Sequence, residues 1–166
     1  NPKIGYQFNK NGWQHYASFS IGQKEPNRED FEAGTTTQPK KEQLQDLEIG
    51  LEKRNKKSSF GATFYYMHYT DQLVLTGKIN DVGAYTRTNV PKSYRAGLEL
   101  EGTWKLNDQI NTSGNITFSK NKIDHFTEYF DNYDTYEQKV IEHHNTDIAL
   151  SPNTTASHAF NYSPNN

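Results

Sequence analysis

The chain has no cysteine, which excludes disulfide frameworks and thiolate metal sites at once. It also has no continuous apolar run long enough to cross a membrane as a helix, and no signal peptide. Neither sign of charge dominates: 18 Lys and Arg face 20 Asp and Glu, for a net charge of -2. That balance offers no electrostatic case for nucleic acid. Apolar residues make up only 32% of the chain, and mean hydropathy is -1.02. Such values point to a poor core or to disorder. Yet 11 Tyr, 9 Phe and 2 Trp bring the aromatic share to 13%, alongside abundant Thr and Gly, which is the chemistry of strands and interfaces.

The order in which these residues come resolves the conflict. After the turn Arg54-Asn55-Lys56-Lys57 the chain alternates strictly: Phe60, Ala62, Phe64, Tyr66 and His68 share one parity, and Ser59, Gly61, Thr63, Tyr65 and Met67 the other. The rhythm returns at Tyr94, Ala96, Leu98, Leu100, Gly102 and Trp104, set against Arg95, Gly97, Glu99, Glu101, Thr103 and Lys105. A period of two places one set on each face of a strand, so one face is apolar and aromatic and the other needs water. Strands of about ten residues joined alternately by tight turns and long loops are the signature of a transmembrane β-barrel wall.

About seven antiparallel strands are expected on this basis: Lys3 to Phe8, Trp13 to Gly22, Leu44 to Lys53, the strand from Ser58, one ending at Lys105, Ile110 to Asn121, and Asn153 to Tyr162. Short turns fall near Asn11, Asn55, Asp108 and Asn165, and long connections at Gln23 to Glu42, Asp71 to Gly83 and Ile123 to Ile148. Leu73-Val74-Leu75 reads as a continuation of its strand, Ala84 to Thr88 as re-entry, and Asn89-Val90-Pro91 as a kink or bulge, because proline cannot donate to a ladder. His15 is a polar misfit on an apolar parity. Phe8, Trp13, Phe60, Trp104 and Tyr162 sit beside short turns on that parity, as interfacial aromatic girdles do.

Several stretches resemble the barrel of TonB-dependent outer-membrane receptors. They are Tyr16-Ala17-Ser18-Phe19-Ser20 with Gly22, Lys24 and Pro26, then Leu47-Glu48-Ile49-Gly50-Leu51-Glu52, then Asn89 to Leu100 with Gly97 and Glu99, and Ser151-Pro152-Asn153. The Asn-, Lys- and Tyr-rich style is similar to Bacteroidetes members. The resemblance implies an all-β antiparallel meander, part of a barrel of roughly 22 strands with long outer loops and short periplasmic turns. It also implies a receptor of the Gram-negative outer membrane, not an enzyme, that imports a siderophore, haem, cobalamin, metal complex or oligosaccharide. Its partners would be membrane lipid, a small nutrient and, through a plug domain, TonB. The chain opens mid-strand at Asn1-Pro2-Lys3-Ile4 and closes on the turn signal Ser163-Pro164-Asn165-Asn166. The expectation is therefore residues 1–166 of a longer barrel, without its plug, signal peptide and final strands.

Candidate ligand-binding residues are Tyr129, Phe130, Tyr133 and Tyr136, aromatic rings on a long loop that could stack on a ligand or equally pack against a neighbouring loop, and Arg28, a cation for an anionic one. Arg87 and Arg95 share that cationic chemistry, although such residues, Arg28 included, more often pair with Glu48, Glu99 or Glu101 on the lumenal face. Asp124, Glu128, Asp131, Asp134 and Glu137 lack the rhythm of a calcium loop and read as a solvated acidic surface. His143 and His144, adjacent on a strand, point to opposite faces and cannot both serve one ion with His125. No metal or cofactor is expected. No catalytic Ser-His-Asp set, phosphate loop or paired acids stands out. The rival to a barrel is a soluble β-sandwich that binds carbohydrate through Tyr-rich loops; a barrel hydrolase is a third reading, weakened by the missing Ser-His set.

Overall fold

The computed structural model describes residues 1–32, 38–79, 83 and 85–164. Its elements are β1 (Lys3–Lys10), β2 (Trp13–Lys24), a short helix α1 (Arg28–Glu32), β3 (Glu42–Arg54), β4 (Ser58–Ile79), β5 (Tyr85–Lys105), β6 (Ile110–Asn132), β7 (Glu137–Asp147) and β8 (Thr154–Tyr162). Every strand pairs antiparallel within a single eight-stranded sheet, in sequence order from β1 to β6. The far edge of β6 is shared. Its first half pairs with β8 and its second half with β7.

The short turns follow from local chemistry. Asn11 (φ 53°) and Gly12 (φ 77°) both take left-handed geometry, as a two-residue hairpin turn between Lys10 and Trp13 requires. At the next short turn but one, the Asn107 side-chain oxygen accepts from the amides of Gln109 (2.9 Å) and Ile110 (2.8 Å), a local substitute for a backbone turn bond. The turn expected near Asn165 lies outside the described residues, as do Gly34, Thr35, Thr36, Thr37 and Ala84.

Register carries the alternation across the sheet. Tyr6, Ala17, Ile49, Phe64, Leu98 and Phe118 face one another in one row, and Gln7, Tyr16, Gly50, Thr63, Glu99 and Thr117 in the next. The first row is apolar and uncovered: Ile49, Phe64, Leu98 and Phe118 are each 41–50% exposed. No second sheet lies over them among the described residues, so the sandwich reading fails on the one feature a sandwich needs. Phe60, Trp104, Phe160 and Tyr162 mark the short-turn end of this face, and Tyr66 stacks on Tyr94 (6.1 Å) toward the other end. Phe60 to Tyr69 spans the about 9–11 tilted residues a strand needs to cross hydrocarbon. His15, the misfit, lies near the rings of Phe8 and Trp13, 6.4 Å from each.

The polar face packs large against small. The Tyr16 ring lies over Gly50, where an added Cβ would come within 2.3 Å of it, and its hydroxyl reaches Thr63 Oγ1 at 2.6 Å. That one side chain thus bridges β2 to β4 across β3. Tyr65 lies over Gly97 and Glu101 over Gly61 in the same manner.

Above these rows the structure departs from three expectations. Pro91 introduces no register shift: Thr70 pairs with Lys92 and Gln72 with Val90, leaving Asp71 and Pro91 opposite each other and outside the ladder. Asp71 takes φ 55°, and the alternation changes phase there, since Ser93 Oγ on the polar face bonds Gln72 Oε1 at 2.6 Å. The bulge instead sits between Leu75 and Ile79, around Gly77 (φ 79°).

Secondly, the loop Gln23 to Glu42 contains α1. Asn27 caps it: the Asp30 amide donates to Asn27 Oδ1 (2.9 Å), and the Asn27 amide to Asp30 Oδ2 (2.8 Å).

Thirdly, Ile123 to Ile148 is not an open connection. It is the upper half of β6 and all of β7, a hairpin. β7 and β8 run in one direction down the same edge of β6, parted where Ile148–Ser151 leaves the ladder, which raises the strand number from about seven to eight. The sequence hides this hairpin because β7 is exposed along nearly its whole length, leaving no hydrophobic period to read.

Candidate functional site

Two features stand above the apolar band: a filled patch on the polar face, and the outer hairpins. On the polar face, the residues between β7 and β8 fold inward. Ile148 is 7% exposed and packs with Val90 and Ile123, each 4% exposed. Beside this cluster Arg95 Nη1 donates to Ser151 Oγ at 2.7 Å, and Asn121 Nδ2 to Ser119 Oγ at 2.9 Å. The expected partners of Arg95 were glutamates; the segment that leaves the ladder at Ile148–Ser151 reaches it instead. A depression of about 380 Å³ remains between Glu48, Tyr65, Glu99, Thr117 and Pro152. Nearby on this face Asp46 Oδ1 is covered and has no hydrogen-bond partner among the described residues.

Arg87 lies beyond the phase change at Asp71 and so does not share the face of Glu99 and Glu101. Its Nη1 lies 3.2 Å from Oδ1 of Asp30, whose side chain is 5% exposed. The carboxylate that closes the cap of α1 therefore also pins that helix to β5. Losing Arg87 would leave the buried Asp30 carboxylate without its counter-charge. Arg28, the first residue of α1, is exposed.

The four predicted aromatics share the β6–β7 hairpin but not one environment. Tyr129 is half-buried on β6 opposite Val140, and its backbone oxygen sits where a Cβ on Gly77 would come within 2.6 Å. There the backbone of the hairpin comes close to β4. Phe130 is 57% exposed, and Tyr133 and Tyr136, in the terminal turn, are 79% and 94% exposed. The structure thus separates one half-buried ring from three displayed ones, and Arg28 lies on a different element.

The acids of this hairpin act as partners. Gln138 Nε2 donates to Asp131 Oδ1 (2.8 Å), and Glu128 Oε2 lies 2.8 Å from His143 Nε2. Adjacent histidines do part company, as their positions on a strand require. His143 stacks on Phe126, which packs against the Val90–Ile123–Ile148 cluster. His144 meets His125, its cross-strand partner, with ring centroids 4.8 Å apart. Ile123 and Phe126 lie on one side although three residues apart, so the phase changes again at Asp124, opposite Asn145 (φ 51°). Sequence parity alone would have missed both phase changes.

Two charged groups in the short turns are perturbed. Hydrogen bonding to Lys105 (2.8 Å) and its charge hold the Asp108 carboxyl below the ordinary carboxylate range. A hydrogen bond to Glu52, and its charge, raise Arg54 above its ordinary value.

Comparison with known proteins places this architecture. A family model described as "TonB dependent receptor-like, beta-barrel" matches residues 1–166. No curated protein matches the sequence. Among solved structures, the copper transporter OprC superposes with a TM-score of 0.62 at 17% identity, over 73% of this chain and 20% of that one. The ferripyoverdine receptor of the Pseudomonas aeruginosa outer membrane gives 0.57 at 11% identity, over 97% and 26%. The ferric yersiniabactin uptake receptor FyuA from Yersinia pestis gives 0.57 at 16%, over 95% and 28%. At these identities the likeness is one of fold. The chain spans about a fifth to just over a quarter of the length of these neighbours.

Proposed function

The chain belongs to the TonB-dependent receptor β-barrel family, and on that premise we propose that it is part of the wall and outer surface of a receptor that captures a small nutrient ligand for import. Members of this family are outer-membrane proteins of Gram-negative bacteria, and we assign this chain to that membrane. The observation that carries the ligand reading is the exposure of Phe130, Tyr133 and Tyr136 toward the tip of a hairpin whose base carries the buried Val90–Ile123–Ile148 cluster. Flat rings displayed on a braced support bind planar or apolar ligand surface with little loss of conformational entropy. Arg28, exposed on α1, adds a cation for an anionic ligand.

The neighbours named for copper and for ferric siderophores support a metal ion or metal chelate as the ligand class. Import would require TonB acting on a plug domain, with the polar face as the wall along which ligand passes. Lipid would cover the apolar face. This is a receptor's work and not an enzyme's.

Replacing Tyr133–Tyr136 in the receptor that carries this chain by a two-residue Asn-Gly turn tests the reading. The barrel is expected to assemble normally, judged by its heat-modifiable migration on gels, while ligand affinity falls. Normal assembly with unchanged affinity would move capture away from this hairpin. Failure to assemble would make these rings packing groups.

A further inference from the structure

The outer hairpin holds a second arrangement that capture by aromatic rings does not use. His125 Nδ1 and His144 Nδ1 lie 3.4 Å apart, across neighbouring strands. The other nitrogen of His125, Nε2, is 2.8 Å from Glu142 Oε2. Thr127 Oγ1 donates to both oxygens of the same carboxylate, at 3.1 and 3.0 Å. The carboxylate is therefore fixed from one side and fixes the imidazole on the other.

From this geometry we propose that His125 and His144 form a binding site for a late first-row transition-metal ion, with Glu142 as the positioning residue. An imidazole that donates its Nε2–H to a carboxylate keeps its Nδ1 lone pair free and more basic, the arrangement common behind metal-bound histidine. Here that nitrogen lies beside a second imidazole nitrogen. A separation of 3.4 Å is long for an N–H···N hydrogen bond. Two nitrogens each about 2.0–2.1 Å from one ion, at a near-tetrahedral angle, are about 3.4 Å apart. Imidazole suits copper, zinc and nickel, with copper(II) held most tightly among the divalent ions.

The site is exposed, with His125 and Glu142 side chains 47% and 48% accessible. No group of three or more ligating side chains converges among the described residues. The protein thus supplies two donors, and water or a chelator carried by the metal fills the rest. Such a site takes up and gives back its ion readily, as a capture surface must. The proposal is independent of the aromatic tip, and neither stands or falls with the other.

The experiment titrates copper(II) into the receptor that carries this chain, purified in detergent without a polyhistidine tag. Electron paramagnetic resonance then reports the coordinating nitrogens. One ion with two nitrogen donors is expected. H125A and H144A should each weaken binding at least about ten-fold and remove the two-nitrogen signature. E142Q, which leaves both ligands in place, should weaken it by about 10–100-fold. His143 faces the other side of the hairpin, so H143A should bind as wild type. Heat-modifiable migration would verify that each variant folds. Wild-type binding in H125A and H144A, equal loss in H143A, or no copper bound at all would overturn the proposal, leaving the pair as an imidazole hydrogen bond.

Discussion

The half of the sheet near the short turns and the half near the outer hairpins obey different rules, although β4, β5 and β6 run through both. Near the short turns alternation is unbroken, the apolar rows stay exposed, and polar rows interlock by seating a large side chain over a glycine. Near the hairpins alternation changes phase at Asp71 and at Asp124, and Val90, Ile123 and Ile148 bury one another. The difference teaches where each half finds its apolar solvent. A wall facing lipid needs no core of its own, because the membrane takes its apolar rows. Strands that rise into water on both sides have no such partner. They slip phase until three aliphatic side chains meet, and an extruded segment, Ile148–Ser151, supplies the third.

The largest effect that could break this comparison is at Leu98. Arginine there, mid-strand on the apolar face, should destabilise the folded barrel by about 2–4 kcal/mol in folding titrations into bilayers. Arginine at Thr117, on the polar row, should cost far less. Equal losses would mean that the two faces do not differ in solvent.

Next is Ile123→Ala, expected to cost about 2 kcal/mol, the low end for a buried aliphatic truncation because so small a cluster can collapse. Amide exchange should quicken in β7 and the upper half of β6 and stay unchanged in β2 and β3. Uniform acceleration would show one cooperative unit in place of two. Gly97→Ala would sharpen the account of the wall. The new methyl meets the Tyr65 ring at 2.5 Å and should cost about 1 kcal/mol, largely recovered in a Tyr65→Ala background.

The smallest effect concerns acidification. The folded Asp108 carboxyl titrates below its ordinary value, so its bond to Lys105 contributes fully above the unfolded pKa and is lost as pH falls through the folded one. Amide protection at the Leu106–Gln109 turn should fade over that acid range, while the Asn11-Gly12 turn, which has no such pair, should not respond.

Legibility followed the same division. From Trp13 to Gly22, Leu44 to Tyr66 and Tyr94 to Phe118, strand positions, faces and short turns could be read directly, because a strong contrast between lipid and water is written into every second residue. In the outer region the contrast vanishes. Thr127, Glu128, Glu142 and His143 look like loop composition, yet they are ladder residues. Of the candidate ligand residues, Phe130, Tyr133 and Tyr136 are exposed and Tyr129 is half-buried; no local signal distinguishes it, since the β4 backbone that its own backbone approaches, at Gly77, is far away in sequence.

By itself, then, the sequence determined what period and turn chemistry can encode: an antiparallel meander with one face for lipid, its tight turns, and family membership through the order of weak motifs. Tertiary structure decided what depends on partners distant along the chain. Arg95 found Ser151 and not the glutamates of its own face, and Arg87, beyond the phase change, found Asp30 on the other. His125 met His144 and not His143, because pairing across strands, which no local pattern specifies, sets which side chains share a side.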